Sequence, residues 1–168
     1  MSDADTIELA ARVGALLRAR NMKLATAESC TGGMIAAAIT EIAGSSAWFD
    51  RSMVTYSNEA KIEMLGVRPG LLSQFGAVSE PTARAMASGA LERSRASMAV
   101  AVTGIAGPDG GTKDKPVGMV CFGWAVRGAP TEVETIHFPG DRATVRAMTV
   151  RHALLGILKW LDSNLSGR

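Results

Sequence analysis

Three residue types that together can activate an alcohol fall in one stretch of the chain: Ser46, Tyr56 and Lys61. Tyr56 is the only tyrosine, and lysines are scarce beside arginines. Arginine cannot replace lysine as a base, because it does not lose its proton in proteins. A lysine desolvated in an apolar pocket becomes neutral near pH 7 and can take a proton from a serine hydroxyl. The three residues can therefore form a Ser-Tyr-Lys nucleophile system. On residue type alone, a solvated Lys61 on a short helix and a half-buried Tyr56 is the simpler account.

Two other segments carry unusual chemistry. Glu28-Ser29-Cys30-Thr31-Gly32-Gly33 leads from a short apolar run into an Ala/Ile-rich helix. Such a turn offers backbone N–H groups and the positive end of a helix to an anion, or is simply an N-cap supplied by Ser29 or Thr31. A helix N-terminus lowers a thiol pKa, but neither His137 nor His152 has a claim to be a base for Cys30, so a structural or ligand-lining cysteine is the better reading. Thr103-Gly104-Ile105-Ala106-Gly107-Pro108-Asp109-Gly110-Gly111 follows a strongly apolar run. It has neither the Walker spacing nor the dinucleotide fingerprint. A loop so rich in glycine lets backbone approach a ligand closely. Arg142 is read as either a phosphate clamp or a surface charge. With Cys30, Cys121 and two histidines lacking paired spacing, no structural zinc site is expected.

These segments must be positioned by the elements around them. Helical spacing marks 5–20, stopped by Asn21, and a helix running to about Ala43, stopped by Gly44. Asn58 reads as the N-cap of a helix that Gly66 ends. Ser79-Glu80-Pro81 opens another helix, running to about Ser94, and Asp141 caps a last one to about Leu161. Strand character falls on 23–27, 53–56, 98–102, 117–126 and 132–138, the last two as a hairpin. Strands alternating with helices predict an α/β fold with a largely parallel or mixed sheet covered on both faces. In such sheets ligands gather beyond the carboxyl ends of the strands, and Glu28 to Gly33, Tyr56 to Lys61 and Thr103 to Gly111 all follow predicted strands.

Composition narrows the function classes. The 168 residues suit one domain; 47% are hydrophobic and 20% charged, which excludes intrinsic disorder. Two cysteines exclude a disulfide-stapled scaffold. A net charge of +2 and an aromatic content of 5% point to neither nucleic acid nor a membrane surface. No targeting segment or membrane span is expected, and the default location is the cytoplasm.

The stretches TAESCTGG (26–33), IAGSSAWF (42–49), VTYSNEAK (54–61), GAVSEPTA (76–83), TGIAGPDGG (103–111), KPVGMV (115–120) and FPGDR (138–142) together resemble the C-terminal domain of CinA, the competence/damage-inducible protein family. The resemblance runs in order over nearly the whole chain. It implies a three-layer α/β/α sandwich with a mixed, largely parallel sheet. It implies a single domain over 1–168, without the molybdopterin-binding-like N-terminal domain that many relatives carry. Stand-alone members deamidate nicotinamide mononucleotide to nicotinic acid mononucleotide and ammonia, in pyridine nucleotide recycling. That reaction hydrolyses a linear amide without a metal or other cofactor.

Self-association and a small-molecule substrate follow from the same resemblance. So do the roles of Ser46 as nucleophile, Lys61 as base and Tyr56 as relay, which reverses the preference drawn from residue type. We place Ser29, Cys30, Thr31, Gly32 and Gly33 near the ribose phosphate, and Thr103, Gly104, Ile105, Ala106 and Gly107 near the oxyanion or amide. A straight strand over 48–56 would hold Ser46 and Tyr56 roughly 30 Å apart. The mechanism therefore requires the chain to curl through Trp48 to Ser52, or one member to come from another subunit. The alternative is a non-catalytic competence or damage accessory, or a nucleotide-binding protein. A short-chain reductase needs Tyr-x3-Lys and a glycine fingerprint, and both are missing.

Overall fold

Leu24–Glu28 (β1) is buried at every position, and Met98–Gly104 (β3) at all but its last. Burial without alternation is what a strand shows when both faces of its sheet are covered. In the computed structural model, which describes residues 3–164, these strands form the middle of a five-stranded sheet. Residues 1–2 and 165–168 of the expected domain lie outside the described residues. The strand order is β2-β1-β3-β4-β5, with β2 at Phe49–Val54, β4 at Met119–Val126 and β5 at Glu132–His137. The pairs β2/β1 and β1/β3 are parallel, while β3/β4 and the β4/β5 hairpin are antiparallel. The expected mixed α/β sheet is observed.

Helices cover both faces. On one side lie α1 (Asp3–Ala19), α2 (Met34–Thr40) and α6 (Arg142–Ser163), sharing a core with Leu24, Val100, Val102 and Phe122. In α6 the buried positions Val145, Val150, Ala153, Leu154, Ile157 and Leu161 keep one stripe on the sheet. On the other side lie α3 (Asn58–Leu65), α4 (Pro69–Phe75) and α5 (Glu80–Glu92), around Ala25, Ala27, Ala99 and Ala101. Gly123 lets α5 approach closely, since a Cβ there would stand 2.6 Å from the Ala83 carbonyl oxygen.

Several boundaries differ from the sequence reading. Asn21 ends α1 with φ +55°, as expected of a stop residue. The N-cap of α3 is Ser57, whose hydroxyl accepts from the Ala60 N–H, and Asn58 is the first helical residue. Helix α4 was not foreseen, because seven residues with one buried leucine display no period. The regular strand β2 begins at Phe49, not near Met53. Its parallel ladder with β1 runs from Leu24↔Phe49 to Glu28↔Val54. The expected curl through Trp48 to Ser52 is reduced to a register shift that skips Asp50: Phe49 pairs with Leu24, Arg51 with Ala25 and Ser52 with Thr26, and Leu24 N–H donates to the Trp48 carbonyl.

Candidate active site

The parallel strands β1 and β2 end side by side, and two different chain segments leave them. From β1, consecutive positive φ angles at Gly32 (+56°) and Gly33 (+103°) swing the chain into α2. From β2, Thr55 and Tyr56 lead to the Ser57 cap and into α3. Side chains of successive residues at a strand end point to opposite faces. Glu28 therefore enters the layer of α2, and Ser29 turns toward α3. There it meets Lys61, which is 1% exposed.

The Lys61 Nζ donates to Ser29 Oγ at 3.1 Å and to the Thr55 carbonyl at 2.9 Å, with the Tyr56 carbonyl at 3.5 Å. Among the described residues no carboxylate pairs with it. Burial holds its pKa below the ordinary lysine value. Both carbonyls can only accept. When the amine is neutral, its two N–H bonds are spent on them and its lone pair faces the Ser29 hydroxyl. That is the arrangement of a general base at a serine nucleophile.

The Ser29–Lys61 pair opens into a cavity of about 190 Å³. Cys30, Tyr56, Thr103, Gly104, Ala106 and Arg142 line it as anticipated. Asn58, Ala77 and Val78 line it too and were missed, because nothing in their types distinguishes them from ordinary helix-start and loop residues. Thr103 is held by its hydroxyl donating to the Ala77 carbonyl at 2.8 Å. From the start of α6, which Asp141 caps through the Thr144 N–H, Arg142 reaches over the mouth. Its guanidinium donates to the Gly107 carbonyl at 2.9 Å and to the Tyr56 hydroxyl at 3.1 Å.

Other anticipated residues stand elsewhere. Ser46 lies in a 3-10 turn, Ser45–Ala47, at the amino end of β2 and is exposed. Six strand residues at about 3.3 Å each put roughly 20 Å between it and the carboxyl end. Within the chain, Ser46 and Lys61 do not meet, and the serine beside Lys61 is Ser29. Tyr56 is 63% exposed; its carbonyl faces Lys61, and its hydroxyl accepts from Arg142.

The helix start after β1 is not a free anion site. The N–H groups of Ile35 and Ala36 donate to the Glu28 carboxylate at 2.9 and 3.0 Å, and that of Ser29 to Val102. Thr31, Gly32 and Gly33 do not line the cavity; the Thr31 hydroxyl donates to Glu28. Neither do Ile105 and Gly107, whose backbone groups serve Met119, Gly118 and Arg142. Cys30 is buried, and that burial pushes its thiol up to about 11, leaving it a poor nucleophile. Arg146 of α6 was also missed; it fastens the loop by donating to the carbonyls of Cys30 and Thr31 at 3.0 and 3.3 Å.

A mixed-sheet α/β/α domain with a serine and a buried lysine meeting beyond the carboxyl ends of parallel strands belongs to the class of folds that place catalytic residues on strand-end loops. The sequence model of the CinA C-terminal domain matches residues 6–161, and the chain belongs to that family. A nicotinamide-nucleotide amidohydrolase, PncC, of Escherichia coli is 52% identical over 92% of this chain and 93% of its own length. A putative competence-damage inducible protein of Symbiobacterium thermophilum is 55% identical; the match takes in 95% of this chain but only 39% of that longer protein. The crystal structure of the competence/damage inducible protein CihA from Agrobacterium tumefaciens superposes with a TM-score of 0.91 at 49% identity, covering 96% of this chain and 97% of that one.

Proposed function

We propose that the protein is a nicotinamide-nucleotide amidohydrolase that uses Ser29 as nucleophile and Lys61 as base. The observation that carries the mechanism is the Lys61 amine, buried, without a carboxylate partner and 3.1 Å from Ser29 Oγ. The substrate comes from the E. coli relative, which matches nearly end to end. Neutral Lys61 takes the Ser29 proton as Oγ attacks the carboxamide carbon. The tetrahedral intermediate collapses, Lys61 returns that proton to the nitrogen, and ammonia leaves. Water then hydrolyses the ester between Ser29 and the nicotinate mononucleotide acyl group, with Lys61 again as base.

A cavity of about 190 Å³ is smaller than the roughly 300–1,000 Å³ that encloses a drug-sized ligand. It suits the pyridine carboxamide, while the ribose phosphate projects through the mouth toward Arg142. The Ile105 N–H is consumed by the Met119 carbonyl. The neighbouring Ala106 N–H, on the cavity wall, is the donor we assign to the oxyanion; such a donor contributes about 3–4 kcal/mol. The test is ammonia release from nicotinamide mononucleotide, with mass spectrometry of the acid-quenched enzyme. An adduct with the mass of the nicotinate mononucleotide acyl group on the peptide containing Ser29, absent from a folded Ser29→Ala that no longer turns over, is the expected result. Turnover by that variant at the wild-type rate would remove Ser29 from the mechanism.

A further inference from the structure

Glu28 is fully buried yet makes no ion pair among the described residues. Its carboxylate faces away from the cavity, into the seam between β1, β2 and α2. Oε1 accepts from the Thr31 hydroxyl at 2.7 Å and the Ile35 N–H at 2.9 Å. Oε2 accepts from the Ala36 N–H at 3.0 Å and the Ser52 hydroxyl at 3.1 Å. Ser52, on β2, accepts in turn from Thr26 of β1 at 2.6 Å. The backbone of the same residue closes the other side: the Glu28 carbonyl accepts from the Thr55 N–H at 2.8 Å, and the Thr55 carbonyl accepts from Lys61. One residue thus ties together the strand end bearing Ser29, the loop that follows it and the segment that holds Lys61.

We propose that Glu28 is the positioning residue of the active site, its carboxylate fixing the β1–α2 turn so that the adjacent Ser29 hydroxyl is aimed at Lys61. This rests on the Ser29–Lys61 reading. A carboxylate is specifically demanded. Each oxygen receives a backbone N–H, which can only donate. Glutamine has the same shape, but whichever way its amide is turned, an NH2 group confronts the N–H of Ile35 or Ala36. The turn must then shift, and Ser29 shifts with it. Displacements of about 1 Å at a catalytic group cost on the order of 10²-fold in rate. Pocket walls contributed by Asn58, Val78 and Thr103 stay in place, so binding is spared.

The experiment is steady-state kinetics on nicotinamide mononucleotide for wild type, Ser29→Ala, Glu28→Gln and Thr31→Val, each checked for folding by circular dichroism and thermal melting. Glu28→Gln, assayed well below its melting temperature, should lose about 10²-fold in kcat with KM within about threefold. A purely structural residue would lower the melting temperature without that split. Wild-type kcat in a folded Glu28→Gln, or a loss carried by KM alone, would overturn the proposal. Should Glu28→Gln fail to fold, Thr31→Val removes a single hydrogen bond to Oε1 and decides: a several-fold loss in kcat at constant KM supports positioning, and unchanged kcat overturns it. Undiminished turnover by Ser29→Ala would instead bring down the underlying reading, and is told apart by that variant alone.

Discussion

At the amino ends of β1 and β2, the chain Gly44-Ser45-Ser46-Ala47-Trp48 makes a tight turn and drives the Trp48 ring onto α1 at Gly14. At the carboxyl ends of the same strands, Ser29-Cys30-Thr31-Gly32-Gly33 makes a turn of similar composition, and its serine meets a buried lysine. Both segments are small, polar and glycine-bearing. One leaves its serine in solvent and spends its aromatic residue on the core. The other packs its cysteine into the core and presents its serine to the buried amine of Lys61. Composition does not separate the two. What separates them is the side of the sheet on which the chain returns: α3 starts beyond the carboxyl end of β2, so Lys61 can reach only the serine at that end.

The largest expected effect breaks the comparison outright. Ser29→Ala should lower kcat by about 10⁴-fold or more, as removal of a nucleophile does elsewhere. Comparable loss from Ser46→Ala instead would reverse the two ends. Next, Lys61→Met, which keeps the bulk and removes the nitrogen, should cost about 10²–10⁴-fold in kcat. The pH profile sharpens the assignment. The active form is the neutral amine, and burial lowers its pKa from the ordinary 10.5. kcat/KM should therefore rise with pH through a midpoint below 10.5, and that limb should vanish in the residual activity of Lys61→Met. A rate that falls as pH rises over this window would exclude lysine as the base.

Cys30 tests the same end more gently. With its thiol pushed up to about 11, little thiolate exists at pH 8. Iodoacetamide should label native Cys30 about 10²-fold more slowly than a free thiol of pKa near 8.5, and fully after denaturation. Fast native labelling would contradict the burial that distinguishes this turn.

At the other end, Gly14→Ala puts a Cβ 2.4 Å from the Trp48 ring and should destabilise by about 1–3 kcal/mol in urea unfolding, with kcat retained at 25 °C. The smallest effect belongs to Ser46→Ala, an exposed turn residue, whose stability and rate should stay within about twofold of wild type. Gly14→Ala without a stability loss would mean that Trp48 is not the anchor of that turn.

Much of the frame was legible in the residues. The apolar periods gave five strands and five of the six helices, and Gly66 and Asn21 marked helix ends through their left-handed backbone, whereas α2 stops at Thr40, short of the expected Ala43, and Gly44 instead caps the 3-10 turn Ser45–Ala47. Lys61, Arg142, Thr103 and Gly104, singled out in the sequence, line one cavity. Which serine stands beside Lys61 was not legible, because Ser46 and Ser29 both adjoin a strand and have similar neighbours. Glu28 fell in a segment singled out in the sequence but was given no role of its own, because nothing local shows that its carboxylate turns back to accept from the N–H groups of Ile35 and Ala36.

By itself the sequence determined that the chain forms an alternating α/β domain of the CinA C-terminal family and that a lysine near Tyr56 could serve as a base. Periodicity, turn glycines and motif order are local, and a linear chain displays them directly. Only the tertiary structure decided which serine lies beside that lysine, that the Tyr56 phenol binds Arg142, and that the start of α2 is closed by Glu28. Each of those depends on which ends of which strands lie side by side. That is fixed by parallel pairing between segments some 25 residues apart and by hydrogen bonds that satisfy a buried carboxylate and a buried amine on opposite faces of one sheet.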